Sequence, residues 1–251
     1  MDNHGTVTQR VDRRDDSVTA MGCPTELPVT LALNELDYAT ALVTPEGLED
    51  WAFGFAFSEG LITRQADVDK VTVERLRHGY LVRLRVDERL ARLGAEQHRV
   101  GASMSSCGRC GTASEALMMQ GLQRLPEGPL LGTACIDKAL ARLRGERSPG
   151  LHLALGLDAE GNFLTRAADI GRHNALDKLI GQHLRQQSPM PSLVMLSSRC
   201  SLELVQKVVR AGIPALATLA VPSTLAVDTA RLCRLQLFHC HRGERIDVIS
   251  G

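Results

Sequence analysis

The sequence predicts an α/β protein whose C-terminal part is a sheet covered by helices and whose N-terminal part is α+β. Two patterns carry that expectation. In the second half of the chain, short apolar strands alternate with amphipathic helices, the rhythm of a sheet with helical crossovers. In the first half, strands come in pairs separated by turn residues, as hairpins do. The 251 residues are 44% hydrophobic and 23% charged, ordinary values for a globular chain with a substantial core.

The first stretch, MDNHGTVTQRVDRRDDSVTA, is polar and reads as a frayed tail, placed at residues 1–27; it lacks the apolar centre of a secretory signal. PVTLALN and YATALVT then form a hairpin across NELD. Pro45 opens a helix in which Leu48, Trp51, Ala52 and Phe55 recur at helical spacing. KVTVERLRHGYLVRLRV alternates around RHG and predicts a second hairpin. A charged segment leads into a Gly/Ser loop with two cysteines, followed by a helix through SEALMMQGLQRL. Pro and Gly concentrate in PEGPLLGT, which separates an N-terminal domain, 28–132, from a C-terminal one, 133–251.

Beyond that boundary CIDKALARLRGERS reads as a helix, and LHLALGLDAEGNFLTRA as a hairpin turning at Ala159 to Asn162. DIGRHNALDKLIGQHLRQ is a loop feeding a helix that Asn174 can cap. SLVMLSS, PALATLA and LQLFHCH are strands; SLELVQKVVRAGI, closed by Gly212, and STLAVDTARLCRL, capped by Ser223, are the helices between them. RIDVIS closes the chain, with RGE as an acceptable turn before it.

Charge excludes some functions. Lys plus Arg equals Asp plus Glu at 29 each, so no bulk field draws the chain to nucleic acid or an anionic membrane. Aromatic residues make up 3%, too few for a single-strand stacking platform, and no apolar run is long enough to span a bilayer. Seven cysteines, an odd number with one close pair, suit a reducing cytosol better than a disulfide framework.

That pair, Cys107 and Cys110 in SMSSCGRCG, admits three readings. A structural zinc site needs a second pair. The other candidates, Cys200, Cys233 and the run His239, Cys240, His241, are scattered, so zinc ranks below a reactive thiol. A thioredoxin-like exchanger lacks its strand-to-helix context. A loop thiol remains, given backbone freedom by Gly108 and Gly111 and a cationic neighbour, Arg109, that favours the thiolate. Three other clusters carry cations. Arg172, His173 and Asn174 precede a helix whose free N–H groups suit a phosphate. Arg199 and Ser201 stand where a strand turns into a helix, the edge at which α/β sheets bind ligands, although a solvated Arg and a Ser cap would look the same. His241, Arg242 and Arg245 form a compact cationic edge near the C-terminus.

PVTLALN, WAFGFAFSEGLI, SSCGRCG, DIGRHNALDKLIG, LELVQKVVRAGIPAL and RGERIDV, in that order, resemble the formate dehydrogenase accessory sulfurtransferase family, the FdhD type, over nearly all the chain after the tail. The resemblance implies a cytoplasmic homodimer with a three-layer α/β C-terminal domain like the cytidine deaminase fold but without its zinc chemistry. It implies a sulfurtransferase that takes persulfide sulfur from a cysteine desulfurase. The sulfur goes to the molybdenum bis(molybdopterin guanine dinucleotide) cofactor, bound as cargo, before insertion into the formate dehydrogenase apoenzyme. No catalytic metal, nucleic acid or membrane is implied. By position, Cys107 matches the persulfide carrier and Cys110 its partner. Cys240, His241, Arg242, Gly243, Glu244 and Arg245 match the cofactor-binding segment, and Arg172, His173, Asn174 and Arg199 are expected to join it around the phosphates. The chain departs from the family pattern at Ala168 and Ser198, and in the His- and Cys-rich FHCHRGER. A non-catalytic cofactor chaperone is the alternative, and a zinc deaminase is disfavoured because its H-x-E and P-C-x-x-C signatures are absent.

Overall fold

A computed structural model describes residues 7–11, 18–101, 122–146, 148–241 and 245–250. Its N-terminal unit is built on a four-stranded sheet in the order β4-β3-β6-β5, from β3 (Leu27–Leu33), β4 (Leu36–Val43), β5 (Val68–Arg75) and β6 (Tyr80–Val86). The two predicted hairpins supply it, joined through the parallel pair β3–β6. Asn34 turns the first hairpin at φ +51, a conformation Asn tolerates better than most residues. Its side chain accepts from Val86 N at 2.9 Å and donates to Val86 O at 3.1 Å, fixing that hairpin on β6. Helix α1 (Leu48–Ser58) buries Trp51, Ala52, Phe53 and Ala56 against Leu31, Leu33, Val82 and Leu84.

The second unit is a six-stranded sheet in the order β12-β11-β10-β9-β7-β8. Strands β9 (Leu193–Arg199), β10 (Ala215–Ala220) and β11 (Gln236–Cys240) run parallel, and β7 (His152–Leu157), β8 (Phe163–Asp169) and β12 (Ile246–Ser250) are antiparallel to their neighbours. Both faces are covered, which explains the unbroken apolar runs of the central strands. Leu193 and Met195 pack with Ile136 and Ala139, while Val194 and Leu196 pack with Leu176, Leu179 and Val205 on the other face. Thus α3 (Thr133–Gly145) lies on one side, and α4 (Arg172–Gln186), α5 (Leu202–Arg210) and α6 (Thr224–Leu232) on the other. The result is a three-layer α/β unit beside an α+β one.

The two units meet where α1 crosses α4. A Cβ on Gly54 would stand 1.8 Å from the Asp177 carbonyl oxygen, and one on Gly181 would stand 1.8 Å from that of Asp50. Only hydrogen at both positions lets the backbones touch. Buried polar groups fasten the same junction: Lys207 Nζ meets Asp177 at 2.8 and 3.0 Å, and Ser58 Oγ donates to Asp177 at 2.8 Å.

Four expectations change. The segment read as a frayed tail contains an antiparallel ribbon, β1 (Val7–Val11) with β2 (Val18–Gly22), whose polar alternation is too short to stand out in the sequence. The charged segment before the cysteine loop is a helix, α2 (Glu88–Gly101); Arg and Glu mask an apolar edge on which Ala91 is buried and Gly94 faces Leu33. Of the helix expected through SEALMMQGLQRL, residues 114–121 lie outside the described residues and Leu122 to Leu125 are not helical. Leu125 N instead donates to Cys233 O at 2.9 Å. Finally, α4 is capped by Gly171, and Asn174 points inward.

Candidate functional site

The parallel strands β9, β10 and β11 end on one edge of the large sheet, and the N-terminus of α4 opens on the same edge beside the turn after β9. Helix α4 begins there because Asp169 Oδ1 accepts from Gly171 N at 2.8 Å, holding the turn that feeds it. Arg172, the first residue of α4, lies near enough to bias both the Cys200 thiol and the His152 ring. Its Nε is buried without a hydrogen-bond partner among the described residues. A buried guanidinium nitrogen at a helix N-terminus has the donor and the dipole that an anion completes. His173 Nε2 lies 2.9 Å from Glu203 Oε2 and 3.4 Å from Ser201 Oγ, tying α4 to the start of α5. Arg199, at the tip of β9, is exposed. Arg172, His173 and the Arg199–Ser201 turn therefore share one rim.

Asn174 serves a different purpose. Its Oδ1 accepts from Trp51 Nε1 at 3.1 Å, and its Nδ2 donates to Leu42 O at 2.8 Å and Asp169 Oδ1 at 3.0 Å. Two residues the sequence reading did not single out as structural, Asp169 and Lys178, form a buried pair at 2.7 Å, while Lys178 also donates to Thr44 O and Thr44 N donates to Asp169. Half of DIGRHNALDK thus binds the N-terminal unit to the C-terminal one, and its outward half, Arg172 and His173, faces the rim. His152 is a rim residue the sequence analysis missed: it opens a strand among apolar neighbours, with no motif to mark it. Burial, followed by the charge of Arg172, holds its ring below the usual imidazole range.

Cys107 and Cys110 lie outside the described residues, as do Arg242, Gly243 and Glu244. Four of the other cysteines are buried, and burial raises each thiol: Cys200 to about 12, Cys240 to about 11, and Cys135 and Cys233 in the same direction. Arg172 pulls Cys200 the other way without offsetting its burial. None of these four is a thiolate at neutral pH. Cys240 packs with Phe238 and Met195 on the α3 face, so only its backbone reaches the rim. At the far end of the rim, His241 Nε2 lies 2.6 Å from Asp247 Oδ2 and Arg245 Nε lies 2.8 Å from Asp247 Oδ1. That carboxyl is held below its usual range first by His241 and then by Arg245. Strand β11 is two strands from β9, about 10 Å at ordinary sheet spacing. The cationic groups are spread along the edge.

Comparisons with known proteins bear on the family and the fold. A model of the FdhD/NarQ family matches residues 24–251. A sulfur carrier protein FdhD of Burkholderia mallei is 39% identical over 243 residues, covering 91% of this chain and 88% of that protein. One from Bordetella bronchiseptica is 36% identical over 233 residues, covering 90% and 84%. The crystal structure of a formate dehydrogenase accessory protein from Desulfotalea psychrophila superposes with a TM-score of 0.73 at 23% identity, over 98% of this chain and 97% of that one. At that identity the likeness establishes the fold.

Proposed function

This chain belongs to the FdhD/NarQ family, and on that premise we propose that it is a sulfur carrier serving formate dehydrogenase. Cys107 accepts sulfur from the persulfide of a cysteine desulfurase. Its thiolate attacks the outer sulfur, a new S–S bond forms on Cys107, the donor's S–S bond breaks, and the donor leaves as a thiolate. The sulfur then goes to a molybdenum cofactor carrying guanine dinucleotide, which the rim holds as cargo. It leaves at the sulfide level when a second thiolate attacks the inner Cys107 sulfur, the persulfide bond breaks and a disulfide forms on Cys107. The carrier acts as a cytoplasmic homodimer. Cys110 either relays or releases the sulfur, and single variants at the two positions separate those roles.

The observation that carries the cargo half of the reading is Arg172, whose Nε is buried beside the helix N-terminus with no hydrogen-bond partner among the described residues. A phosphate oxygen would satisfy it, and Arg199 stands on the neighbouring turn. The sulfur half rests on the relatives' description as sulfur carriers and on the chemistry of the thiols. The buried cysteines are protonated, whereas Cys107 and Cys110 have an Arg between them in the sequence.

Incubation of the full chain with a cysteine desulfurase and cysteine, followed by intact-mass analysis, tests the sulfur half. One added sulfur atom is expected on the wild type and none on Cys107→Ser. Cells carrying Cys107→Ser should also lack formate dehydrogenase activity. Sulfur uptake undiminished in Cys107→Ser would overturn the reading. No uptake by the wild type, with GDP binding retained, would make the protein a cofactor chaperone instead. Arg172→Gln should weaken GDP binding at least tenfold, the value of a desolvated charge-assisted contact of about 1.5–3 kcal/mol.

A further inference from the structure

The hairpin of β11 and β12 brings together three side chains that the sulfur-carrier reading does not use as a set. His239 on β11 and His241 just past the strand's end stand two residues apart with their rings side by side, while Cys240 between them turns to the other face. Asp247 is the register partner of His239 on the antiparallel strand. As a result, one ring nitrogen of each histidine and a carboxylate oxygen of Asp247 all lie within 4.8 Å of one another. The separations to Asp247 Oδ2 are 2.6 Å for His241 and 3.8 Å for His239, and the two rings are 4.3 Å apart.

We propose that His239, His241 and Asp247 form a site for a first-row divalent metal ion, zinc by preference. Two imidazoles and one carboxylate are a ligand set that suits zinc and its neighbours and disfavours magnesium and calcium. Bonds of about 2.0–2.2 Å in a tetrahedral arrangement put ligand atoms roughly 3.4 Å apart. The observed 2.6 and 3.8 Å to Asp247 straddle that value, so modest side-chain rotations bring both histidines into range of a shared ion.

Exposure and second contacts fit the same use. His239 is 7% exposed, whereas His241 and Asp247 are half-buried, leaving a solvent-facing fourth position for water. Arg245 holds Asp247 Oδ1, which orients the carboxylate and leaves Oδ2 for the ion, as outer contacts to metal ligands do. The charge on Arg245 acts against a cation, and the carboxylate between them offsets it. Binding through Nε2 requires the proton between His241 and Asp247 to leave. It moves to Nδ1 of the same ring when the imidazole is neutral and to solvent when the ring is an imidazolium.

The site does not depend on the sulfur-carrier reading, and metal uptake is measured without sulfur. The full chain, stripped with chelator and reduced, is titrated with Co²⁺ while visible absorption is followed, and Zn²⁺ is then used to displace the cobalt. One equivalent of Co²⁺ giving tetrahedral-type bands and displaced by Zn²⁺ is expected. His241→Gln and Asp247→Asn, near-isosteric changes whose folding is checked by circular dichroism, should each weaken binding at least tenfold. The Cys107→Ser/Cys110→Ser double variant should bind as the wild type does. No stoichiometric uptake, or uptake lost in the cysteine double variant and unchanged in the histidine and aspartate variants, would overturn the proposal.

Discussion

Burial makes four of the described thiols poor nucleophiles. Cys200 lies on the rim's inner side, close enough to Arg172 to feel its charge, and yet the cost of burying a thiolate pushes it up to about 12. Cys240 sits in the segment resembling a cofactor-binding stretch, but its side chain is fully buried on the opposite sheet face, at about 11. Both behave as small apolar residues. Cys200→Ala and Cys240→Ala should therefore leave persulfide formation within about twofold of wild type while lowering stability by roughly 1–2 kcal/mol, the cost of a small cavity. Intact-mass labelling and chemical denaturation read the two effects separately. Loss of sulfur acceptance in Cys200→Ala at full stability would move the chemistry from the CxxC loop to the rim.

Helix α4 shows how one stretch can carry two jobs. Residues on its first turn facing outward, Arg172 and His173, reach the rim, while Asn174, Asp177, Lys178 and Gly181 face α1, β4, β8 and α5. The sequence made the helix legible through Leu176, Leu179 and Ile180, and made GRHN conspicuous as a polar cluster. It did not distinguish positioning from ligand contact, because an inward Asn and an outward Asn look alike without the partner helix. Two of the three partners of Asn174 lie 123 and 132 positions away, at Trp51 and Leu42. Alternating strands and helices were readable for the same reason that α2 was not: an apolar period marks an element only when one face is buried deeply. The crossing itself gives the sharpest element-scale expectation. Gly54→Ala puts a methyl carbon within 1.8 Å of the Asp177 carbonyl oxygen, a contact only backbone displacement can relieve. Overpacking of this kind costs about 1–3 kcal/mol and more against backbone. Thermal melts of Gly54→Ala and Gly181→Ala should each fall by several degrees, while Gly128→Ala, with open space around it, should melt within a degree or so of wild type.

At the scale of the whole chain, two sheets with separate cores depend on one shared junction. Its ion pair joins Asp177 of α4 to Lys207 of α5, with Ser58 at the end of α1 as third partner, all inside the protein. Burial pushes the Asp177 carboxyl up, and Lys207 and Ser58 pull against it, so the carboxylate depends on its partners to stay charged. Removing Asp177 alone leaves the buried Lys207 ammonium with only the longer contact to Glu59 at 3.9 Å and the Phe55 ring, a loss approaching the roughly 3–5 kcal/mol of a buried pair broken on one side. Removing both charges relieves that penalty. Asp177→Leu should thus destabilise strongly, and Asp177→Leu/Lys207→Met should recover much of the loss, the signature of coupling in a double-mutant cycle. The chain's one tryptophan, Trp51, reports on the junction because its indole N–H donates to Asn174 across it. If the junction welds the two units into one cooperative body, Trp51 fluorescence and far-UV circular dichroism should lose signal at the same denaturant concentration in the wild type. In Asp177→Leu the two should separate, with the Trp51 signal moving first because the seam opens before either sheet melts. Separate transitions already in the wild type would mean that the units unfold independently and that the close Gly54–Gly181 approach orients the sheets without making them one folding unit.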